Sequence, residues 1–310
     1  MFVAPEGYQP VYNPSIPYLG PIHGGLRDGA SIFIQGSVPK NITRFHVNLL
    51  CGDSESSDVA LHFNPRFDGR DKVVFNSRLD GDWGSEEKIR KMPFSKGKSF
   101  EMAIMVNSLG YQIKVNGKDF FTFAHRVPVK RVRSIQVAGD VCIQTINVVG
   151  GGSPGGDMGG GYPGSHLPGM GGQPVYDPPL PYRNMIPGGM NPKRTIIIRG
   201  LVPYGAKSMG INFVVSRSQD IAFHINPRVK EGVVVRNNCS GGKWGSEERE
   251  INMNPFQEGQ YFDMSIRCGN QRFKVFVNGL HLFDFSHRTS FSDIDWLEVD
   301  GDVQISYIHF

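Results

Sequence analysis

The chain has few cysteines, and their arrangement does not form a structural framework. Its 310 residues contain only four, at positions 51, 142, 239 and 268, which show neither metal-type spacing nor matching places along the chain. A disulfide framework is therefore not expected. The composition favours folding in a reducing compartment.

Long apolar runs are missing as well. No stretch approaches the roughly 20 apolar residues of a membrane-spanning helix. The beginning, M-F-V-A-P-E-G-Y, has no basic segment followed by an apolar one, as a signal peptide would. We therefore expect synthesis on free ribosomes and no insertion into a membrane.

The charge is small and evenly spread. A net charge of +4 arises from 33 basic and 29 acidic residues that are scattered along the chain. Nucleic acid is accordingly not an expected partner. The acidic pair Asp80 and Asp82 is isolated and has no duplicate, so neither a calcium site nor any other metal or cofactor is expected.

The sequence has no long helical pattern and consists instead of many short apolar runs. Phe100, Met102, Ile104 and Val106 alternate with less apolar residues, a period of two that is typical of half-buried strands. Asn-Gly pairs at 116–117 and 278–279 lie between apolar runs, where they predict two-residue hairpin turns. Many short strands with regular turns predict an all-β protein built from β-sandwiches.

One stretch of the chain occurs twice, in the same order and with nearly the same spacing. Residues 62 to 88 contain H-F-N-P-R-F, V-F-N and W-G-S-E-E-K, and residues 224 to 249 contain H-I-N-P-R-V, V-R-N and W-G-S-E-E-R. Proline-rich segments at 10 to 26 and 174 to 190 are duplicated too. The duplication predicts two domains, each long enough to bury its own core.

The repeated stretch combines hydrogen-bonding side chains with one aromatic ring. In an extended strand His62, Asn64 and Arg66 share one face, and the apolar residues between them face inward. Asn76 ends the next apolar run, and Trp83 follows seven residues later. This set suits a sugar, because each hydroxyl needs a donor or an acceptor and a tryptophan can pack against a C–H face.

The two copies resemble the carbohydrate-recognition signature of the galectins, which reads H-x-N-P-R, V-x-N and W-G-x-E-x-R. The resemblance covers both domains, and similarity to a tandem-repeat galectin follows. Lys88 departs from the pattern, because the family usually has arginine there, and we expect the two sites to differ toward the sugar next to galactose. Carried over by position, the implied sugar contacts are His62, Asn64, Arg66, Asn76, Trp83, Glu86 and Lys88 in the first copy and His224, Asn226, Arg228, Asn237, Trp244, Glu247 and Arg249 in the second.

The resemblance implies a jelly-roll β-sandwich for each domain, with the signature on its concave sheet. It implies a lectin that binds β-galactosides, such as lactose and N-acetyllactosamine-type glycans, and cross-links glycoproteins and glycolipids through two non-identical sites. It also implies a bivalent monomer, with weak self-association left open. In the family, export bypasses the usual secretory route, so both the cytoplasm and the cell exterior are expected locations.

The residues outside the two copies set the expected boundaries. We expect a proline-rich N-terminal peptide over 1–16, a first domain over 17–150, a Gly/Pro-rich linker over 151–180 and a second domain over 181–310. Residues 150–172 hold twelve glycines and few apolar side chains. This part of the linker is expected to be disordered, so that the two sites can reorient.

Two other functions compare with this one differently. An enzyme is not expected: a glycosidase needs two carboxylates across the scissile bond, but Glu86 and Glu87 are adjacent and would point to opposite faces of a strand. A cytoplasmic scaffold that binds protein partners through the proline-rich segments and the sandwich surfaces is the alternative hypothesis.

The pairs His125-Arg126 and His287-Arg288 also recur at equivalent places. They lie outside the signature and follow apolar segments. We therefore predict a structural role for them at strand ends.

Overall fold

The computed structural model describes residues 2, 4–5, 7–150 and 174–310, and these residues are almost entirely β. They form two compact domains, within 7–150 and 174–310. Each domain is a sandwich of two antiparallel sheets, which confirms the predicted all-β fold. The described residues contain only two short 3-10 turns, Val129–Arg131 and Phe291–Asp293, and no helix long and apolar enough to cross a bilayer.

The first domain contains thirteen strands, numbered in chain order, in two sheets. In spatial order, the sheet that carries the signature, here called the groove sheet, consists of β2 (Tyr18–Pro21), β12 (Ser134–Gly139), β4 (Phe45–Leu50), β5 (Val59–Arg66), β6 (Lys72–Leu79) and β7 (Asp82–Trp83), and β8 (Glu87–Ile89) also pairs with β6. The second sheet consists of β1 (Tyr8–Tyr12), β13 (Cys142–Val149), β3 (Ser31–Ser37), β9 (Ser99–Val106), β10 (Gly110–Val115) and β11 (Lys118–Ala124).

The second domain repeats this topology in twelve strands. Its groove sheet consists of β15 (Tyr182–Met185), β24 (Trp296–Gly301), β17 (Met209–Val215), β18 (Asp220–Arg228), β19 (Val233–Ser240) and β20 (Lys243–Trp244). Its second sheet consists of β14 (Val175–Tyr176), β25 (Gln304–His309), β16 (Thr195–Leu201), β21 (Tyr261–Cys268), β22 (Arg272–Val277) and β23 (Leu280–Ser286).

The predicted Asn-Gly hairpin turns are confirmed. Asn116 and Gly117 have φ of 51° and 77°, and they join β10 to β11 directly between Val115 and Lys118. Asn278 and Gly279 do the same for β22 and β23, with φ of 52° and 77°. Two consecutive positive φ angles match the twist of the flanking strands, and Asn and Gly adopt them at low cost.

Aromatic side chains from both sheets fill the core of each sandwich. In the first domain Phe63 and Phe75 of the groove sheet lie with ring centroids 5.4 Å apart, and Phe75 reaches Phe123 of the second sheet at 6.0 Å. In the second domain Phe223 stacks on Phe285 of the opposite sheet at 4.5 Å. These rings are fully buried, so the strands that carry the signature are fixed by their apolar face.

The proline-rich segments include edge strands that pair with the two domains. Tyr8–Tyr12 pairs with Cys142–Val149, and Val175–Tyr176 pairs with Gln304–His309. The reason is that an edge strand accepts prolines, whose missing N–H can face away from the ladder. The part of the expected linker at 151–173 lies outside the described residues.

A buried arginine distinguishes the second core from the first. Arg236 of β19 lies opposite Ile225, in the position that Phe75 takes opposite Phe63, and it is 4% exposed. Its Nη1 donates to Val234 O at 3.0 Å, and its Cζ lies 4.3 Å from the ring centroid of Phe283. Burial lowers the pKa of its guanidinium, and its Nε has no hydrogen-bond partner among the described residues.

We predict that Arg236→Phe stabilises the second domain. Replacing a buried charge that has incomplete partners by an apolar ring removes a desolvation cost, with an expected gain of about 1–2 kcal/mol. Differential scanning calorimetry of the full chain should show one thermal transition rising by several degrees. The reverse change, Phe75→Arg, should lower the other transition. A lower melting temperature for Arg236→Phe would show that the carbonyl and ring contacts outweigh the burial of charge.

Candidate functional site

A shallow groove on the first groove sheet collects the predicted site residues. Its position follows from the register of β5 against β6, which places His62 opposite Asn76. The groove has a cavity volume of about 410 Å³. Its lining consists of Arg44, His46, His62, Asn64, Arg66, Val74, Asn76, Trp83, Gly84 and Glu86. Six of the seven predicted residues are thus brought together, and Lys88 reaches the groove through Glu86.

Asn48 of β4 determines which nitrogen of His62 faces the groove. Asn48 Nδ2 donates to Gln136 Oε1 at 2.9 Å, so its Oδ1 is turned toward His62 and lies 2.6 Å from Nδ1. An amide oxygen only accepts, and Nδ1 therefore carries the proton. The Nε2 atom is left as an acceptor for a ligand hydroxyl.

The surroundings of His62 keep the ring neutral. Burial lowers the pKa of His62 to about 4, and the nearby charges of His46 and Arg66 act in the same direction. A hydrogen bond with Asn64 opposes the shift but is the weaker effect. The acceptor form of Nε2 is therefore the populated one at neutral pH.

Asn64, Arg66 and Glu86 form a connected row of polar groups. Asn64 Nδ2 donates to Phe45 O at 2.8 Å, and Arg66 Nε donates to Asn64 Oδ1 at 2.7 Å. Arg66 Nη2 lies 4.0 Å from Glu86 Oε1, while Lys88 Nζ lies 3.0 Å from Glu86 Oε2. Arg66 and Glu86 thus form an ion pair, although Lys88 is the closer partner of that carboxylate.

Arg126 orients Asn76 and is a site residue that sequence reasoning missed. Its Nη1 donates to Asn76 Oδ1 at 3.1 Å, and its Cζ lies 4.7 Å from the ring centroid of Phe123. Asn76 Nδ2 donates to Gly84 O at 3.0 Å, which leaves one N–H for a ligand. The pattern F-x-F-x-H-R, which occurs at residues 121–126 and again at 283–288, was the sequence signal that could have identified it. The predicted structural role at a strand end was incomplete, because Arg126 also positions Asn76 in the groove.

Trp83 forms the aromatic wall of the groove. It is 49% exposed, and its ring centroid lies 4.7 Å from that of His62. Arg78, the cross-strand neighbour of Trp83, places its Cζ 5.3 Å from the indole centroid and donates to the carbonyls of Glu55 and Ser57. Trp83 is therefore held in place by its neighbours while much of its ring stays open to a ligand.

The second groove repeats this geometry closely. His224 lies opposite Asn237, and its Nδ1 is 2.5 Å from Asn212 Oδ1. Burial lowers the pKa of His224 as well. Arg288 Nη1 donates to Asn237 Oδ1 at 2.9 Å. The cavity volume is about 310 Å³, and its lining consists of His224, Asn226, Arg228, Val235, Asn237, Trp244, Gly245 and Glu247.

The charged side of the second groove follows the same plan with an arginine in place of a lysine. Arg228 Nη2 lies 3.8 Å from Glu247 Oε1, and Arg249 contacts Glu247 Oε2 through Nε at 2.7 Å and Nη2 at 2.6 Å. Arg249, like Lys88, lies beside the groove and reaches it through the carboxylate. The arginine holds that carboxylate with two donors, whereas the lysine offers one point charge.

The two grooves differ most along the strand next to the histidine. Arg44 and His46 line the first groove. The second domain has Ser208 and Gly210 at these places, as shown by the matching pairings of residues 44 with 66 and 208 with 228. The larger first groove therefore contains two additional basic side chains. In the part of the chain that the structure describes, no group of three or more His, Cys, Asp or Glu residues could hold a metal ion.

Comparison with known proteins agrees with this geometry. The family model described as galactoside-binding lectin matches twice, over residues 17–148 and 181–310. The chain is 54% identical to galectin-4 of Sus scrofa and 51% identical to galectin-4 of Homo sapiens, each over 99% of both chains. It is 50% identical to galectin-6 of Mus musculus, also over 99% of both chains.

Among solved structures, a human galectin-16 variant is 35% identical, and the match covers 44% of this chain and 98% of the other with a TM-score of 0.41. The double match to one family model and the full-length identity of about half to its relatives show the family. The chain belongs to the galactoside-binding lectins, the galectins, and carries two carbohydrate-recognition domains.

Proposed function

We propose that both grooves bind the galactose unit of β-galactosides and that the chain cross-links glycoconjugates. The observation that carries the proposal is the repetition of one arrangement: an open tryptophan ring beside a neutral histidine acceptor in each domain. The centroid distances of 4.7 and 4.8 Å and the interplanar angles of 57° and 56° are nearly equal in the two grooves.

The fixed groups of the first groove match what a sugar hydroxyl array requires. His62 Nε2 accepts, Asn76 Nδ2 and the Arg66 guanidinium donate, and Glu86 accepts on the charged side. A sugar with one hydroxyl inverted would leave a fixed group without its partner, at a cost of about 1–3 kcal/mol when that group is buried. The Trp83 ring offers packing for a C–H face.

The proposal includes the absence of catalysis. The two adjacent carboxylates are engaged by different cations, because Lys88 holds Glu86 while Arg126 Nη2 lies 3.2 Å from Glu87 Oε2. A second carboxylate on the opposite side of a bound sugar is not among the lining residues of either groove. Glycoside hydrolysis requires such a pair.

The proposed setting is both the cytoplasm and the cell exterior. The four cysteines are all free thiols, which supports folding in a reducing compartment before export.

The alternative function, a cytoplasmic scaffold, relies partly on the proline-rich segments as ligands for other proteins. The backbones of Tyr8–Tyr12 and Val175–Tyr176 are paired at sheet edges, so these parts of the segments are not free to bind a partner as extended ligands.

We predict that Trp83→Leu and Trp244→Leu each remove lactose binding from one domain only. Loss of the ring should lower the affinity of that site at least about tenfold, and the fold should survive because both rings are about half exposed. Isothermal titration of the full chain should show the stoichiometry falling from two to one in each variant. A chelator should leave binding unchanged; a requirement for metal, or two intact sites in either variant, would contradict the proposal.

Agglutination tests cross-linking separately from binding. The intact chain should agglutinate galactose-bearing cells, because two tethered sites raise the apparent affinity by about 10²–10⁴ on a dense surface. Each single tryptophan variant keeps one site and should lose agglutination while still binding lactose. Agglutination by these one-site variants would mean that self-association of the protein, rather than two sites on one chain, joins the cells.

The depressed pKa of His62 predicts how binding depends on pH. Because that pKa is about 4, Nε2 stays an acceptor above it, and lactose affinity at the first site should be constant between pH 7.5 and 5.5. Trp244→Leu isolates the first site for this titration. The unfolded chain protonates His62 near 6.5, so the first domain should lose stability as the pH falls from there toward 4.

Asn48→Asp provides the matched control. A carboxylate at this place favours the charged imidazole and raises the pKa of His62, so lactose affinity should already fall on acidification from pH 7 to 5.5. If the wild-type affinity falls in this range instead, or the Asp variant is indifferent to pH, the assigned tautomer is wrong.

A further inference from the structure

An acidic side chain lies at one edge of the second groove. Val299 of β24 packs into the core, so its neighbour Asp300 lies on the groove face of the sheet, where it is exposed. Asp300 pairs with Gly210 of β17. The residue before this glycine, Met209, accepts a hydrogen bond through its backbone oxygen from Nδ2 of the groove residue Asn226 at 2.8 Å. Asp300 is thus placed beside the groove.

The missing side chain of Gly210 lets the carboxylate approach the groove. A Cβ atom at this position would lie 2.7 Å from Asp300 Oδ1 and 3.9 Å from His224 Cε1. The carboxylate oxygen therefore occupies the space above the glycine, next to the ring of the groove histidine. A carbon atom cannot approach an oxygen to 2.7 Å without a shift, so a larger residue at position 210 would displace the carboxylate.

The charge of Asp300 is not offset by a neighbouring side chain. In the part of the chain that the structure describes, its carboxylate has neither an ion pair nor a hydrogen bond, whereas Glu298 on the same strand lies 3.0 Å from Arg183 Nε. Burial lowers the pKa of His224, and the charge of Asp300 is the largest effect in the opposite direction. The carboxylate is therefore close enough to act on the centre of the groove.

The first domain has the reverse arrangement at the equivalent pair of positions. His46 of β4 pairs with Ala138 of β12, so the large side chain comes from the strand nearer the groove centre and the small one from its neighbour. The ring centroid of His46 lies 5.6 Å from that of His62. At this pair of positions, only the second domain has a carboxylate.

We propose that Asp300 is a specificity-determining residue of the second groove, which rejects galactosides that carry an anionic substituent at the sugar edge above Gly210. The proposal rests on the proposed function, because it concerns a galactose held between His224 and Trp244. A substituent that leaves this galactose over β17 passes the Asp300 carboxylate. An anionic substituent meets a like charge there, whereas a neutral sugar can donate hydroxyl hydrogen bonds to the same oxygens.

The test uses the full chain carrying Trp83→Leu, so that only the second site reports. The probes are lactose and pairs of lactose derivatives that carry a methyl group or a sulfate on the same oxygen of galactose, for each free hydroxyl in turn. At one or more oxygens the methyl derivative should bind as lactose does, while its sulfated partner binds about fivefold more weakly, the size expected for one exposed charge pair. Added salt should reduce this ratio, because it screens the repulsion.

Asp300→Asn removes the charge and keeps the shape of the side chain. At the same oxygen, the ratio of the two affinities should fall to within about twofold, because a neutral amide does not repel a sulfate. The ratio compares two ligands of one variant, so a change in affinity common to both ligands does not affect it.

A matched control makes the same substitution on the other sheet. Asp284→Asn changes a carboxylate on β23 that pairs with Arg272 and His281, and it should keep the full ratio. An equal loss of discrimination in this control would overturn the proposal in favour of net charge. A ratio that Asp300→Asn leaves unchanged, or failure of every methyl derivative to bind, would overturn it as well.

The lactose measurement keeps the two proposals distinguishable. Failure of lactose to bind the Trp83→Leu variant would refute the proposed function of the second groove, and the role of Asp300 with it. Normal binding of lactose, together with equal affinities for the methyl and sulfated derivatives at every tolerated oxygen, would refute the role of Asp300 alone.

Discussion

The register between the two strands of the signature hairpin is the constraint on which the rest of each domain depends. Side chains alternate across a strand, so a slip of one residue would turn His62 and Asn76 into the core and expose Phe63 and Phe75. Burial of these two rings fixes the register, because their exposure would cost several kcal/mol. The packing of the core and the composition of the groove are thus set by one pairing.

The same pairing brings in partners from distant parts of the chain that orient the groove residues. Asn48 holds the His62 ring in one tautomer, and Arg126 turns the Asn76 amide. Groups that are already oriented lose little conformational freedom when a ligand arrives. This prior orientation matters in a shallow, open groove. Such a groove buries little apolar area on binding, and that area could not offset a large entropy cost of ordering the groove's own side chains.

The sequence allowed prediction of the strands, the duplication and the polar face, because these follow from periodicity and from a motif that recurs at fixed spacing. It did not reveal the contact of Asn48 with His62 or that of Arg126 with Asn76, since these contacts cross 14 and 50 residues. The recurring F-x-F-x-H-R marks Arg126 but does not identify its partner. The buried position of Arg236 was not predicted either. The motif V-x-N leaves the residue before the asparagine unspecified, but in the structure that residue faces the core.

The two domains differ at side chains on the edge of the groove, which do not hold another groove residue in place. At the groove centre, histidine, both asparagines and tryptophan each contact another fixed group, and any replacement would leave that group unsatisfied. At the edge, Lys72 is replaced by Val233 and His46 by Gly210, and neither of the first-domain side chains hydrogen-bonds another groove residue. Divergence at the edge therefore changes what surrounds the sugar without disturbing how the sugar is held. Under the proposed function, two sites that share a centre but differ at the edge would join unlike glycans more readily than two identical sites could.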